Sequence, residues 1–461
     1  MAARVAAGAQ AKSRSEGPLP AARLARLGLA AVLAGYCALA TAQSFATRLQ
    51  WGPDEPAHII YVRSLALDRR LPAPAAGEAE DRYLPGAARS HQAHHPPLYY
   101  ALAALVWRAF AGWPDQIVSY RDERTGEAVT YRVPGPVRPV RFLSIAFGLG
   151  ALAFVWATAR LVFPRRPALW PASAALLGFT PMFTYLTSVI SNDPLVALLF
   201  AMAAWRWARA MRHGCSYADA ALVGLISGAA ISTKETGLAL VPLSALALAL
   251  APGARSWRER AGWIAAAAAV AAVAGGWWYV RKWAVFGHPF LYAYHAPLSD
   301  LPPEQAARVR AALPELVFAF TFVPFDVIAR TADANLVFGF FGAGVAVSLV
   351  GLLLALARQR EEPMSALEIQ SIGLWLLAGA LILAGLVRNI FLVDWRMGTA
   401  GGRFLVAALP MLVLASARGL SGLSRRPGRG NLWLGAACAL LLGMNIYVIR
   451  AVAAAYGTLG L

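Results

Sequence analysis

Two adjacent carboxylates, Asp54 and Glu55, stand in Trp51-Gly52-Pro53-Asp54-Glu55-Pro56-Ala57-His58, directly after an apolar run from Leu24 to Phe45. A third, Asp193, stands in Ser191-Asn192-Asp193-Pro194, between two further apolar runs. A carboxylate held in place can take the proton of a hydroxyl as that hydroxyl attacks, the work of a general base. Asp54 is the candidate base, and Glu55 doubles the charge at a bilayer edge, where a bare carboxylate is costly. The plainer reading of Asp54 is a helix N-cap, a position that favours Asp. On a helix begun at Asp54, His58 falls four residues on, where the side chains can meet and either orient the base or simply stabilise the helix. Asp193 before Pro194 has ordinary cap grammar; the other reading makes it a contact for an acceptor or a metal. Asp54 with Asp193 could hold a divalent cation through oxygen ligands, but two carboxylates without a tight motif favour no metal.

The second set is cationic. Lys234 and Glu235 interrupt an apolar stretch, and neighbours on a helix do not face each other, so each needs another partner or water. Lys234 is a candidate phosphate contact or the solvated tip of a hairpin. Arg281 and Lys282 follow Trp277-Trp278-Tyr279-Val280, and Arg403 follows Gly402. Arginine suits bidentate phosphate binding, and snorkelling to lipid headgroups is the alternative. His94 and His95 could hydrogen-bond a phosphate; without a third ligand they do not suggest zinc.

Elements that could position these groups are apolar helices. The chain has 461 residues, 59% hydrophobic and 14% charged, against about 25% charged in a soluble protein. Runs of about 20 apolar residues recur along it, the length that crosses a bilayer. The reading is an all-α polytopic membrane protein with about 11 transmembrane helices, near 24–46, 141–163, 168–190, 194–211, 218–233, 237–252, 261–283, 336–357, 367–387, 403–418 and 432–450. The net charge of +18 is better explained by Lys and Arg in cytoplasmic loops than by nucleic acid. Cys37, Cys215 and Cys438 show no metal or disulfide spacing.

The positive-inside rule then assigns sides. The basic residues 1–23 are a cytoplasmic N-terminus, and 24–461 form a single membrane domain with external inserts at about 47–140 and 284–334. The apolar stretch from Pro96 to Phe110 is short for a span and suits a helix at the interface. Counted so, each basic cluster falls inside, and Asp54 and Asp193 fall outside. Ala40-Thr41-Ala42 resembles a signal-peptidase site, but a retained anchor is the expectation.

Taken in order, Asp54-Glu55, His95-Pro96-Pro97-Leu98-Tyr99-Tyr100, Asn192-Asp193-Pro194, Lys234, Trp278-Tyr279-Val280-Arg281-Lys282-Trp283 and Gly402-Arg403-Phe404 resemble the GT-C superfamily of membrane glycosyltransferases. They are most similar to bacterial relatives of protein O-mannosyltransferase and lipid A aminoarabinose transferase. The resemblance implies a periplasm-facing cavity, a polyprenyl-phosphate sugar donor, and inversion at the anomeric carbon. The chain departs from that pattern at His94-His95, where aminoarabinose transferases carry a glutamate-lysine pair, and at Arg281-Lys282 in place of arginine-asparagine.

In such a transfer the leaving group is already an anion and needs no strong acid. A base must take the acceptor proton, and cations or N–H donors must meet charge growing on the phosphate. The expected site is therefore Asp54 and Glu55 as catalytic carboxylates, His58 and Asp193 as acceptor or orienting groups, and His94, His95, Lys234, Arg281 and Arg403 around the donor phosphate. The expected partners are a polyprenyl-phosphate sugar, a glycan, lipid or protein acceptor, and the lipids of a bacterial inner membrane. Competing readings are a flippase for a lipid-linked sugar, which would place charges near the midplane and show repeats, and a non-catalytic membrane assembly partner.

Overall fold

The computed structural model describes residues 19–74, 89–121, 126–287, 289–290, 298–324, 334–393 and 402–458. Its first helix, α1, runs Leu19–Ala46 and begins about five residues before the apolar run. A turn at residues 47–54 leads into the short helix α2, Glu55–Arg63, which ends in a π-helical turn at Ser64–Asp68. The helix α3, Leu98–Ala109, is only 12 residues long and buries Tyr99, Tyr100, Ala103 and Trp107. It is too short to cross a bilayer.

Two small sheets lie in this first insert, and an all-helical reading did not include them. Ala73–Pro74 (β1) pairs in parallel with Arg89–Ser90 (β2). Gln116–Arg121 (β3) and Ala128–Val133 (β4) form an antiparallel hairpin, with Val118 opposite Tyr131. The signal was present in the alternation of Val129, Tyr131 and Val133 with polar residues, a half-buried strand pattern. It was hidden inside a stretch read only for its lack of spans.

Helices then follow in close succession: α4 Val137–Val162, α5 Leu169–Gly178, α6 Pro181–Thr187, α7 Asp193–His213, α8 Tyr217–Ile231 and α9 Leu240–Leu250. After them come α10 Trp257–Ala271, α11 Trp277–Phe286, α12 Pro303–Phe322, α13 Ala334–Ala357, α14 Ala366–Leu392, α15 Leu409–Gly422 and α16 Pro427–Ala455. A π-helical turn at Ala272–Gly276 joins α10 to α11 without a break.

The chain is a multi-pass helical membrane protein. Among the described residues six helices are long and apolar enough to span: 23–46, 137–162, 257–285, 335–357, 366–392 and 428–455. The expected spans near 168–190 and 237–252 are divided. The first becomes α5 and α6, separated at Phe179-Thr180-Pro181, where proline lacks the N–H to continue a helix. The second starts with a 3-10 turn at Glu235–Ala239 before α9.

Local chemistry explains several starts. Ser216 caps α8 in a reciprocal box with Asp219, and Ser256 and Ser365 accept the N–H of Glu259 and Glu368, each filling a donor a helix start would leave bare. Small residues set the closest helix contacts. A Cβ at Gly351 of α13 would overlap the Gly419 carbonyl of α15, the close approach that small residues permit between membrane helices.

Polar contacts tie several of the loops between helices to one another. Arg166 reaches Glu362 at 3.1 Å, Arg425 reaches Glu361 at 3.6 Å, and Arg358 donates to the Gly422 carbonyl at 2.9 Å.

Candidate functional site

At another set of helix ends, five segments converge on one charged chain. Asp54 is the residue before α2, with φ 56° and ψ 14°, a left-handed conformation that Asp tolerates better than most residues. Its side chain makes no cap bond. One carboxylate oxygen instead meets Arg403 Nη2 at 2.8 Å, and the other lies 3.6 Å from His91 Nε2. Arg403 Nε lies 3.4 Å from Asp193 Oδ2. Asp193 also accepts the Ser191 hydroxyl at 2.8 Å and pairs through Oδ1 with the Lys234 ammonium. The order His91–Asp54–Arg403–Asp193–Lys234 thus joins four of the residues singled out in the sequence.

Asp193 and Lys234 are almost fully buried, whereas Asp54 keeps 26% of its side-chain surface exposed. Burial alone would raise the Asp54 pKa. The Arg403 guanidinium, followed by His91 and His58, more than reverses this, and the carboxyl is held well below the usual carboxylate range. Burial is also the largest influence on Lys234 and draws it below its ordinary value, opposed by Asp193. The chain carries two carboxylates against one guanidinium and one ammonium, so its fixed charges cancel. Arg403 lies against both carboxylates, where a divalent cation would sit, so this donor set does not fit a metal.

Other expected residues fall differently. His58 was expected to meet the Asp54 side chain. The bond found is between backbones, His58 N–H to the Asp54 carbonyl at 3.1 Å, while the His58 Nδ1 lies 2.8 Å from the Tyr100 hydroxyl. Asp54 is left-handed and precedes the helix, which begins at Glu55, so the side-chain spacing of a regular helix does not apply between it and His58. His58 is fully buried, its Nε2 has no hydrogen-bond partner, and burial lowers its pKa to about 3. Glu55 is committed elsewhere: it forms a two-pronged ion pair with Arg141 and accepts the N–H groups of Gly52 and Ile190. Both its oxygens are filled, and it is fully buried, so it is not a free second carboxylate beside Asp54.

His94 Nδ1 lies 2.6 Å from the His91 carbonyl, and burial brings its pKa to about 3. Burial also holds His95 well below the ordinary histidine value. Arg281 stacks on Trp278, 5.0 Å from the ring centroid. The Leu98-Tyr99-Tyr100 motif is wiring for the site. Leu98 donates its N–H to Ser232 at 2.9 Å. The Tyr99 hydroxyl lies 3.0 Å from Ser144 and accepts the Ser191 N–H, and Tyr100 holds His58.

A cavity of about 260 Å³ adjoins the charged chain. Lys234, His95, Glu235, Thr236, Arg388 and Asn389 are its polar lining, and Leu238, Pro242, Leu381, Ile382, Leu386 and Phe404 make much of its apolar wall. Lys234 therefore belongs to both, and its Nζ lies 4.8 Å from the centre of the Phe404 ring. Arg388 falls just past the expected span at 367–387, but the helix runs on to Leu392, and a cation inside an apolar helix was the available signal. His91 and Arg141 carried no comparable signal, since neither lies in a distinctive pattern.

Residues 135–279 match the family model described as dolichyl-phosphate-mannose-protein mannosyltransferase. This segment contains Asp193 and Lys234, and the match agrees with the GT-C resemblance read from the motifs. No curated protein matches the chain. Among solved structures it is similar to an oligosaccharyltransferase of Archaeoglobus fulgidus tethered to an acceptor peptide, at 14% identity and TM-score 0.44. That likeness covers 93% of this chain and 55% of that one, so the chain spans about half the oligosaccharyltransferase's length. It is also similar to ArnT of Cupriavidus metallidurans bound to undecaprenyl phosphate, at 14% identity and TM-score 0.37, covering 86% and 77% of the two chains.

Proposed function

We propose that the chain is an inverting glycosyltransferase of a bacterial inner membrane, moving a sugar from a polyprenyl-phosphate donor to an acceptor hydroxyl on the periplasmic side, with its N-terminus in the cytoplasm. The observation that carries this reading is the chain of contacts from Asp54 through Arg403 and Asp193 to Lys234, whose ammonium side chain also lines the cavity. A proton acceptor and a phosphate contact are thereby held at opposite ends of one rigid set of side chains.

In this mechanism the donor phosphate lies in the cavity against Lys234 and Arg388, with His95 neutral beside it and the first carbons of the lipid on the apolar wall. The acceptor oxygen attacks the anomeric carbon from the face opposite the phosphate. As that bond forms, the carbon–oxygen bond to phosphate breaks and its electron pair leaves with the phosphate. The acceptor proton passes to Asp54. Ionised Asp54 is a weak base, so proton transfer comes late, when the attacking oxygen already carries positive charge. Arg403 orients Asp54, and Lys234 and Arg388 meet the growing phosphate charge. Glu55 and Arg281 have no part in the chemistry on this reading.

The test is turnover of purified protein with undecaprenyl-phosphate mannose and a panel of hydroxyl acceptors, following release of undecaprenyl phosphate. Asp54→Asn should lower turnover about 10²- to 10⁴-fold, the usual contribution of a positioned base, with donor binding retained. Wild-type turnover in that variant removes Asp54 from the role.

A further inference from the structure

We infer that the buried Glu55–Arg141 pair is a positioning device that sets the separation of Asp54 and Asp193, so that the single guanidinium of Arg403 can bridge both. The inference rests on the transferase reading for its consequence in turnover, and on geometry alone for the device itself.

Arg141 lies in the second turn of α4 and is fully buried. Its guanidinium makes five bonds. Nη1 donates to the carbonyls of Ser44 at 2.7 Å and Thr47 at 2.8 Å, Nη2 donates to that of Arg48 at 3.0 Å, and Nε and Nη2 donate to Glu55 at 2.8 and 2.6 Å. One side chain thus holds the exit of α1 and the entry of α2, the two sides of the turn that carries Asp54.

Glu55 extends the hold to the second carboxylate. Its Oε2 accepts the Gly52 N–H at 3.2 Å, closing that turn, and its Oε1 accepts the Ile190 N–H at 3.0 Å. Ile190 is three residues before Asp193. The two segments are also in direct contact, since a Cβ placed at Gly52 would lie 2.8 Å from the Val189 Cβ. With both carboxylate-bearing segments tied to Glu55, the Asp54 and Asp193 side chains arrive at one guanidinium. A fully buried ion pair contributes little net stability over an apolar replacement. Its satisfied bonds fix geometry, which is what a bridged pair of acids requires.

The test uses the full-length protein with Cys37, Cys215 and Cys438 changed to serine. Glu55→Gln should lower turnover on undecaprenyl-phosphate mannose about 10- to 100-fold, with the Kd for undecaprenyl phosphate within twofold of the parent. A Gly52→Cys/Val189→Cys disulfide should then restore most of that turnover, because it ties the same two segments. The Cβ spacing there needs to relax by about 1 Å to reach the usual 3.8 Å. Turnover within twofold of the parent in Glu55→Gln overturns the inference, as does a crosslinked Glu55→Gln protein that stays inactive. If the parent itself transfers no sugar, the transferase reading fails, and the yield of the 52–189 disulfide still decides the device. Glu55→Gln should lower that yield, and an equal yield overturns the inference.

Discussion

Replacing Arg403 by glutamine isolates the electrostatic arrangement of the site, because it removes the charge and keeps a hydrogen-bonding side chain. In the wild type the guanidinium lies 2.8 Å from one Asp54 oxygen and 3.4 Å from one Asp193 oxygen. An opposite charge at such distances shifts a carboxyl by about 1–3 pKa units. Burial pushes the Asp54 pKa up, and Arg403 with the neighbouring histidines brings the balance well below the ordinary range. Without Arg403, the Asp54 pKa rises from that depressed value toward the ordinary carboxylate range, with burial pushing it up and His91 and His58 still opposing. The sign for stability follows. The wild-type pair stabilises the fold above about pH 4 and loses that contribution only as pH falls through the depressed folded value. The gap in melting temperature between wild type and Arg403→Gln should therefore narrow in acid.

The sign for turnover is the same. Wild-type activity, which needs ionised Asp54, should show no acid limb from this group between pH 5 and 8. In Arg403→Gln the acid limb should move up by about 1–3 pH units, each worth about 1.4 kcal/mol, toward the ordinary carboxylate range. The assay is the initial rate of undecaprenyl phosphate release from about pH 2.5 to 8.5, with circular dichroism at each pH to confirm folding. A variant slowed equally at every pH, with its acid limb where the wild type has it, refutes the claim that Arg403 sets the Asp54 charge state.

Three further outcomes follow from named contacts. Arg388→Gln should raise the Kd for undecaprenyl phosphate about tenfold, equivalent to about 1.4 kcal/mol, while Arg281→Gln changes it less than twofold; tryptophan quenching in detergent reads both. Gly351→Ala places a methyl on the Gly419 carbonyl and should cost about 1–3 kcal/mol, seen as a lowered melting temperature with donor affinity retained once folded. EDTA should leave turnover unchanged, because Arg403 lies against both carboxylates where a metal would need to bind.

The broad architecture was legible because hydropathy is a property of single segments. So were Asp54, Asp193, Lys234 and Arg403, since charges at the ends of apolar runs stand out against their surroundings. Their partners were not legible. Pairing of Asp54 with Arg403 joins residues 349 positions apart, and helical spacing pointed to His58 instead because it could not foresee the left-handed backbone at Asp54. Glu55 looked like a second catalytic acid for the same reason: adjacency in sequence says nothing of Arg141, which takes it away. The β3–β4 hairpin and the division of residues 168–190 into α5 and α6 were lost to a reading tuned to spans of about 20 residues.

The most direct measurement is an experimental structure of the protein with undecaprenyl phosphate bound. The account predicts phosphate density in the cavity between Lys234 and Arg388, the lipid against Leu381, Ile382 and Leu386, and the Asp54 carboxylate still held by Arg403 on the open side of the phosphate. A phosphate seated on Arg281 away from Lys234, or separated from Asp54 by the thickness of the bilayer, would contradict it.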